Sequence, residues 1–126
     1  MFPFFIGNDS WNNITSAALD VIYTFVPVGD NGCLGDDFTV TVTVNPEPVV
    51  TNQTITVCSD ENLNQAFNAS TSVAADTYNV TNLETNGLSI SAGNPDVANG
   101  LLANDLEDDA FTNLTNAPVD VIYTVV

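Results

Sequence analysis

One stretch of the sequence occurs twice, and the two copies lie 100 residues apart. Residues 11–26 read WNNITSAALDVIYTFV and residues 111–126 read FTNLTNAPVDVIYTVV, with nine identities in sixteen ungapped positions. A period near 100 residues is the size of one β-sandwich domain and is too long for a solenoid coil. We therefore expect tandem sandwich modules, with the 126 residues out of phase with them.

Alternation of apolar and polar residues predicts the strands. Residues 38–44, FTVTVTV, place Phe and Val on one face and Thr on the other. Residues 20–26 are apolar on both faces, as expected of a central strand covered on both sides. The glycine-rich loop 29–37 joins these two strands into a hairpin. Weaker alternation predicts further strands at residues 54–58, 67–73, 78–80, 88–90 and 111–114.

No stretch has a sustained helical period, so the sequence predicts an all-β fold of antiparallel β-sandwich modules in tandem. Pro46 and Pro48 break strand pairing and stiffen the chain, which places a module boundary there. The predicted organisation is residues 1–45 as the C-terminal part of one repeat, 46–48 as a proline-rich linker, and 49–126 as a second repeat lacking its last strand. We expect residues 49–126 to need either a continuing chain or a strand like 38–44 donated by a neighbouring copy.

The charge excludes several classes of function. The chain has sixteen Asp and Glu but no Lys, Arg or His, giving a net charge of −16. Nucleic-acid binding and attachment to an anionic membrane both require cationic side chains. Catalysis by His, Lys or Arg is excluded for the same reason. We expect no enzymatic activity, no nucleic-acid partner and no membrane insertion, and any export signal to lie outside these residues.

The hairpin residues resemble a known family. The run from Val21-Ile22-Tyr23-Thr24 through Asn31-Gly32-Cys33 to FTVTVTV and Asn45-Pro46, followed by TITVCS at 54–59, is similar to PKD-like, immunoglobulin-like repeats of giant bacteroidete surface adhesins. The resemblance implies immunoglobulin-like sandwich modules in a cell-surface filament exported by type IX secretion. It also implies a role in adhesion and gliding. Neighbouring repeat modules are the expected partners, with a surface polysaccharide or substratum as the adhesive target.

Carboxylates cluster near the C-terminal copy of the repeat. Calcium binds six to eight oxygen ligands, and crowded carboxylates without cations repel one another unless they are screened or bridged. The candidate calcium ligands are therefore Asp105, Glu107, Asp108 and Asp109. No calcium-loop spacing is present, so a solvated acidic surface is the alternative. A glycosidase pair would also need two carboxylates, but nothing else in the sequence marks a cleft.

The two cysteines, Cys33 and Cys58, leave three possibilities open. They can pair with each other, pair with partners outside these residues, or remain free thiols. The expected order of strands puts Cys33 and Cys58 far apart in an end-to-end array, which argues against a mutual bond.

Aromatic and asparagine residues have both a functional and a structural interpretation. Trp11, together with Phe2, Phe4 and Phe5, can stack on sugars, but alignment with Phe111 favours a core position for Trp11. Asn13 and Asn113 belong to Asn-x-Thr sequences, the acceptor pattern for N-glycosylation. The asparagine-rich composition also produces this pattern by chance.

Three functions remain consistent with the sequence. The first is a structural and adhesive module of a surface filament. The second is a calcium-stabilised stalk or surface-layer protein without adhesive activity, and the third is a carbohydrate-binding module of a large secreted enzyme. The 100-residue repeat favours the first two.

Overall fold

The computed structural model describes residues 6–67 and 70–126, and it confirms an all-β chain with antiparallel sheets. One turn of 3-10 helix, Ile6–Asn8, precedes the strands. In chain order the strands are β1 (Leu19–Phe25), β2 (Phe38–Val44), β3 (Tyr78–Glu84), β4 (Ser89–Ala92), β5 (Ala98–Leu101), β6 (Ala110–Thr112) and β7 (Ile122–Val125).

Strands β1 and β2 form the predicted hairpin. They pair without a bulge, from Leu19 opposite Val44 to Phe25 opposite Phe38. At the tip, Val28 bridges to Leu34. On one face the ring of Phe25 stacks between Tyr23 and Phe38, with centroid distances of 6.0 and 5.4 Å. In the described part of the chain, β1 and β2 pair only with each other.

The remaining strands form two antiparallel sheets, with β3 between β5 and β7 in one and β4 beside β6 in the other. This arrangement is consistent with the predicted immunoglobulin-like sandwich. Its core contains Tyr78 and Val80 from β3, Ala110 and Phe111 from β6, and Leu106. The rings of Phe111 and Tyr123 meet edge to face at 6.4 Å between centroids, which joins the two sheets through β6 and β7.

Three predictions about the strands differ from the structure. Residues 54–58 form no strand. The described part of 67–73 forms none either, beyond the isolated bridge between Ser70 and Val50. The prediction that strand 20–26 is covered on both sides is also wrong, because Ile22 is 62% exposed and Val26 is 50% exposed. Nothing described packs on that face of β1, so its apolar residues meet solvent.

The proline-rich segment connects to residues on both sides of it. The Glu47 amide donates to the Asn13 carbonyl at 2.9 Å. The Ser72 hydroxyl donates to the Glu47 carbonyl, and the Val49 amide donates to that hydroxyl. The segment is therefore held in place by one backbone hydrogen bond and two bonds to the Ser72 hydroxyl. The module boundary at residues 46–48 stays a prediction.

Candidate functional site

An aspartate–tyrosine hydrogen bond occurs in both copies of the repeat. The Tyr23 hydroxyl donates to Asp9 Oδ2 at 2.6 Å, and the Tyr123 hydroxyl donates to Asp109 Oδ2 at 2.7 Å. Both pairs span 14 residues, so the structural repeat begins two residues before the repeated stretch in the sequence. The two copies are therefore similar in side-chain bonding as well as in sequence.

The surroundings of the two aspartate–tyrosine pairs differ. Asp109 is 1% exposed and the neighbouring Phe111 is 8% exposed, whereas Asp9 is exposed and Trp11 is 53% exposed. A segment near Asp60 covers the second copy, because the Asp60 amide donates to the Phe111 carbonyl at 2.8 Å. Within the 126 residues, the first copy has no counterpart of that segment. The core position expected for this aromatic residue is confirmed at Phe111 and wrong at Trp11.

Burial is the main cause of the shifted pKa values of Asp109 and Tyr123. Burial raises the pKa of Asp109, the Tyr123 hydroxyl bond opposes that rise, and the nearby Asp108 charge adds to it. Burial also raises the pKa of Tyr123, and the bond to Asp109 raises it further. Gly93 closes this site: its φ is +75°, and a side chain there would collide with Asp109. The arrangement therefore holds a carboxylate under β6 with one hydroxyl donor.

An asparagine-centred loop is also repeated. Asn13 Nδ2 donates to the Ala17 carbonyl at 2.8 Å, and Asn113 Nδ2 donates to the Ala117 carbonyl at 3.0 Å. In each copy the threonine two residues later donates both its amide and its hydroxyl to the asparagine Oδ1. These Asn-x-Thr sequences therefore build a local turn, which is a structural role.

One bond distinguishes the two asparagine loops. Asn13 Nδ2 also donates to the Val44 carbonyl of β2 at 2.8 Å, and Asn13 is 4% exposed. Asn113 has no second carbonyl partner among the described residues, and it is partly exposed. The Asn113 side-chain amide thus keeps one N–H that Asn13 uses to bind the Val44 carbonyl of β2.

The same difference appears along β7. In the first copy β1 pairs with β2, and the Thr43 hydroxyl donates to Asp20 Oδ1 at 2.8 Å across that pair. In the second copy β7 pairs with β3, and its other edge carries no strand in the described part of the chain. We call residues 119–125 together with Asn113 the open β7 edge. It is the candidate interaction site of the chain.

The structure does not gather the candidate calcium ligands. Asp105 Oδ2 accepts the Leu102 amide at 2.8 Å, Asp109 is committed to Tyr123, and Asp108 is exposed. Across residues 6–67 and 70–126, no three acidic or cysteine side chains form a group able to hold a metal ion. Calcium binding by Asp105, Glu107, Asp108 and Asp109 stays a prediction.

Asp60 is a structural carboxylate that the sequence does not indicate. The Thr112 hydroxyl donates to Asp60 Oδ1 at 2.6 Å, and this bond, supported by Ser91, lowers the pKa of Asp60. Its backbone adopts a φ of 67°, which Asp tolerates better than most residues. Asp60 therefore ties the loop after Cys58 to β6.

The other candidate residues are dispersed. Cys33 and Cys58 are exposed and not bonded to each other. Phe2, Phe4 and Phe5 lie outside the described residues, so a sugar-stacking group with Trp11 is not tested. A shallow depression beside β4 is lined by Ile90, Gly93, Asn94, Pro95 and Asp96, and Asp96 is its one carboxylate.

The fold and the repeated bonds define an all-β chain built on an antiparallel, sandwich-type plan. A family model described as a PKD-like domain matches residues 6–48, about a third of the chain. The match covers the β1–β2 hairpin, and PKD-like domains are usually extracellular structural or adhesive modules that are typically not catalytic. Neither the curated proteins nor the solved structures contain a match. The described residues include no helix with the length and hydropathy needed to cross a membrane.

Proposed function

We propose that the chain is a repeat module of a long extracellular bacterial surface filament with a structural and adhesive role. The observation that carries the proposal is the second aspartate–tyrosine bond, 100 residues after the first and of the same length within 0.1 Å. Two copies with the same internal bonds support a repeated module. Side-chain bonds of this kind require similar backbone geometry, which sequence identity alone does not guarantee.

The surface chemistry supports an extracellular setting. Seventeen Asn and fifteen Thr supply polar surface in place of cations, and no Lys or Arg offers a cleavage point to trypsin-like proteases. A net charge of −16 keeps such a filament soluble and separated from other filaments. The finer proposal is a gliding adhesin of the SprB kind, exported by type IX secretion and displayed on the cell surface. That proposal is supported by the hairpin motif alone.

Covalent arrays test the filament. Appending residues 27–126 after Val126 continues the repeat in phase, because Val126 aligns with Val26. A compact 100-residue module has a radius of gyration of about 13 Å, so each added copy should lengthen a rod by roughly 35 Å. Small-angle scattering of arrays with one, two and four added copies measures this increment. A maximum dimension that grows linearly supports the filament, and growth with the cube root of mass contradicts it.

A matched array tests the role of the linker. Replacing Pro46 and Pro48, and their images in each added copy, with Gly removes the stiff extended segment without changing the number of modules. The glycine array should show a shorter maximum dimension at the same mass. Equal dimensions would show that the prolines do not stiffen the junction.

Adhesion is tested on the same arrays. Beads coated with the four-copy array should remain on polysaccharide-coated glass under flow, while beads coated with an acidic protein of equal charge should wash off. If a chelator abolishes bead retention, adhesion requires calcium. Rod growth without bead retention would leave a stalk and reject the adhesive role.

A further inference from the structure

We propose that the Ser72 hydroxyl sets the direction in which one module of the filament follows the module before it. The inference rests on the proposed function, because it takes the proline-rich linker, residues 46–48, as the junction between two modules. We call residues 6–45 the first unit and the described residues from 49 to 126 the second unit. Ser72 is then a positioning residue, and the linker is a fixed connection and not a hinge.

The strands of the two units do not contact one another. Among the described residues, β1 and β2 contact each other, and none of the strands β3 to β7 contacts either of them. Packing between strands therefore does not orient the first unit on the second. Their relative direction depends on the hydrogen bonds that the linker makes with each unit.

Asn13 binds the linker to the first unit. Its Nδ2 donates to the Ala17 carbonyl and to the Val44 carbonyl at the end of β2, at 2.8 Å in both bonds. Its backbone carbonyl accepts the Glu47 amide at 2.9 Å. Asn13 is 4% exposed, so water competes little for its side-chain bonds. The chain is thus still bound to the first unit after β2 has ended.

Ser72 binds the linker to the second unit on both sides of Pro48. Its hydroxyl donates to the Glu47 carbonyl at 2.6 Å and accepts the Val49 amide at 2.9 Å. The Val49 carbonyl accepts the Thr71 amide at 2.8 Å, which aligns the chain with the segment that carries Ser72. Glu47 therefore has its amide bound to the first unit and its carbonyl bound to the second, so no free residue separates the two anchors.

The prolines and the hydroxyl have different effects on the linker. Pro46 and Pro48 fix their own φ angles at about −65° and restrict the residue before each of them to extended conformations. These restrictions keep the linker extended, but rotation about the ψ angles still lets the second unit swing. The Glu47 carbonyl and the Val49 amide reach a single hydroxyl only over a narrow range of those angles. The Ser72 bonds therefore select one direction among those that the prolines allow.

Residual dipolar couplings of backbone amides test the proposal on the full chain. In a neutral stretched gel, the amides of β1 and β2 report the alignment of the first unit, and those of β3 and β7 report the alignment of the second. A fixed linker should make both sets of couplings fit one alignment tensor, whereas units that swing independently align to different degrees. Near-zero couplings in β1 and β2, or two tensors of different magnitude, would overturn the proposal.

Three variants test the assignment to Ser72. Ser72→Ala removes the hydroxyl and should make the magnitudes of the two tensors differ at least twofold. The couplings within each unit should still fit that unit's structure, which a variant that had lost its fold would not show. Ser72→Thr keeps a hydroxyl and should retain one tensor.

Thr71→Ala is the matched control at the preceding position. It removes a hydroxyl that lies 3.4 Å from the Val49 carbonyl, and it leaves the backbone amide that makes the 2.8 Å bond. It should retain one tensor. A shared tensor in Ser72→Ala, or separate tensors in Thr71→Ala as well, would refute the role assigned to the Ser72 hydroxyl.

The covalent arrays test the proposed filament separately. Arrays that lengthen linearly, together with two tensors in the parent chain, would support the filament and refute the fixed linker. One tensor in the parent chain, together with compact arrays, would support the fixed linker and refute the filament.

Discussion

Removing one hydroxyl from each copy of the repeat should have very different effects on stability. Tyr123→Phe leaves the Asp109 carboxylate, 1% exposed, without its hydroxyl donor. Tyr23→Phe removes the same bond from Asp9, which is exposed and can bind water instead. A buried hydrogen bond to a charged group contributes about 1.5–3 kcal/mol, whereas surface substitutions change stability by up to about 0.5 kcal/mol.

Urea unfolding followed by circular dichroism measures the difference. With an m-value of about 2 kcal/mol per molar, Tyr123→Phe should lower the urea midpoint by roughly 1 M, and Tyr23→Phe should lower it by about 0.25 M or less. Asp109→Asn removes the buried charge, so adding it to Tyr123→Phe should recover part of the loss. Equal midpoint shifts for the two Phe variants would refute the reasoning that burial makes the second bond the stronger contributor.

Three further comparisons follow from the structure. The folded-state pKa of Asp109 lies above its ordinary value near 3.8 and that of Asp60 lies below it. Because the folded-state pKa of Asp109 is raised, the stability that this group contributes is present at low pH and is lost as pH rises through that pKa. The stability of Asp109→Asn relative to the parent protein should therefore rise between pH 3 and 7 in urea titrations. The stability from Asp60 is present above pH 3.8 and is lost as pH falls, so the penalty of Asp60→Asn should shrink toward pH 3. Gly93→Ala should lower the thermal midpoint more than Gly100→Ala: both have positive φ, but a Cβ meets Asp109 only at position 93. Asn13→Ala should speed amide exchange throughout β1 and β2, whereas Asn113→Ala should affect only its own loop, because only Asn13 holds the Val44 carbonyl.

Much of the strand pattern was predictable from local alternation. Residues 38–44 form β2 with the bounds that the FTVTVTV pattern indicates, because seven alternating residues leave one register that segregates the faces. Strand β7 follows from its likeness to β1. Strand β5 was missed because it contains Asn99-Gly100, which is typical of a turn. There the Gly100 amide donates to the Asn79 side chain, a contact from outside the strand itself.

The candidate site was predictable only in part. The sequence indicates which strand β7 lacks. It does not indicate that Asn113 and Asp120 repeat the side chains that bind β2 in the first copy. Asp109 was named only as a calcium candidate, and the pairing of Asp9 and Asp109 with tyrosine was missed. The flanking residues differ between the copies, Asn8 and Ser10 against Asp108 and Ala110, so the sequence repeat is not visible at these positions. The available signal was the constant 14-residue spacing from Asp to Tyr. Burial of Asp109 was not predictable, because it depends on the segment near Asp60, about 50 residues earlier in the chain.

The central claim is that the open β7 edge is the place of a strand with the sequence of β2. Amide hydrogen exchange of Ile122–Val125 tests it most directly, in the chain extended after Val126 by its own residues 27–45. The extension should slow exchange of these edge amides at least tenfold, because they gain strand partners. A control extension of the same composition exchanges the Thr and Val positions of 38–44 and so presents the wrong face; it should give no protection. Equal exchange with both extensions, or no change with either, would contradict the claim.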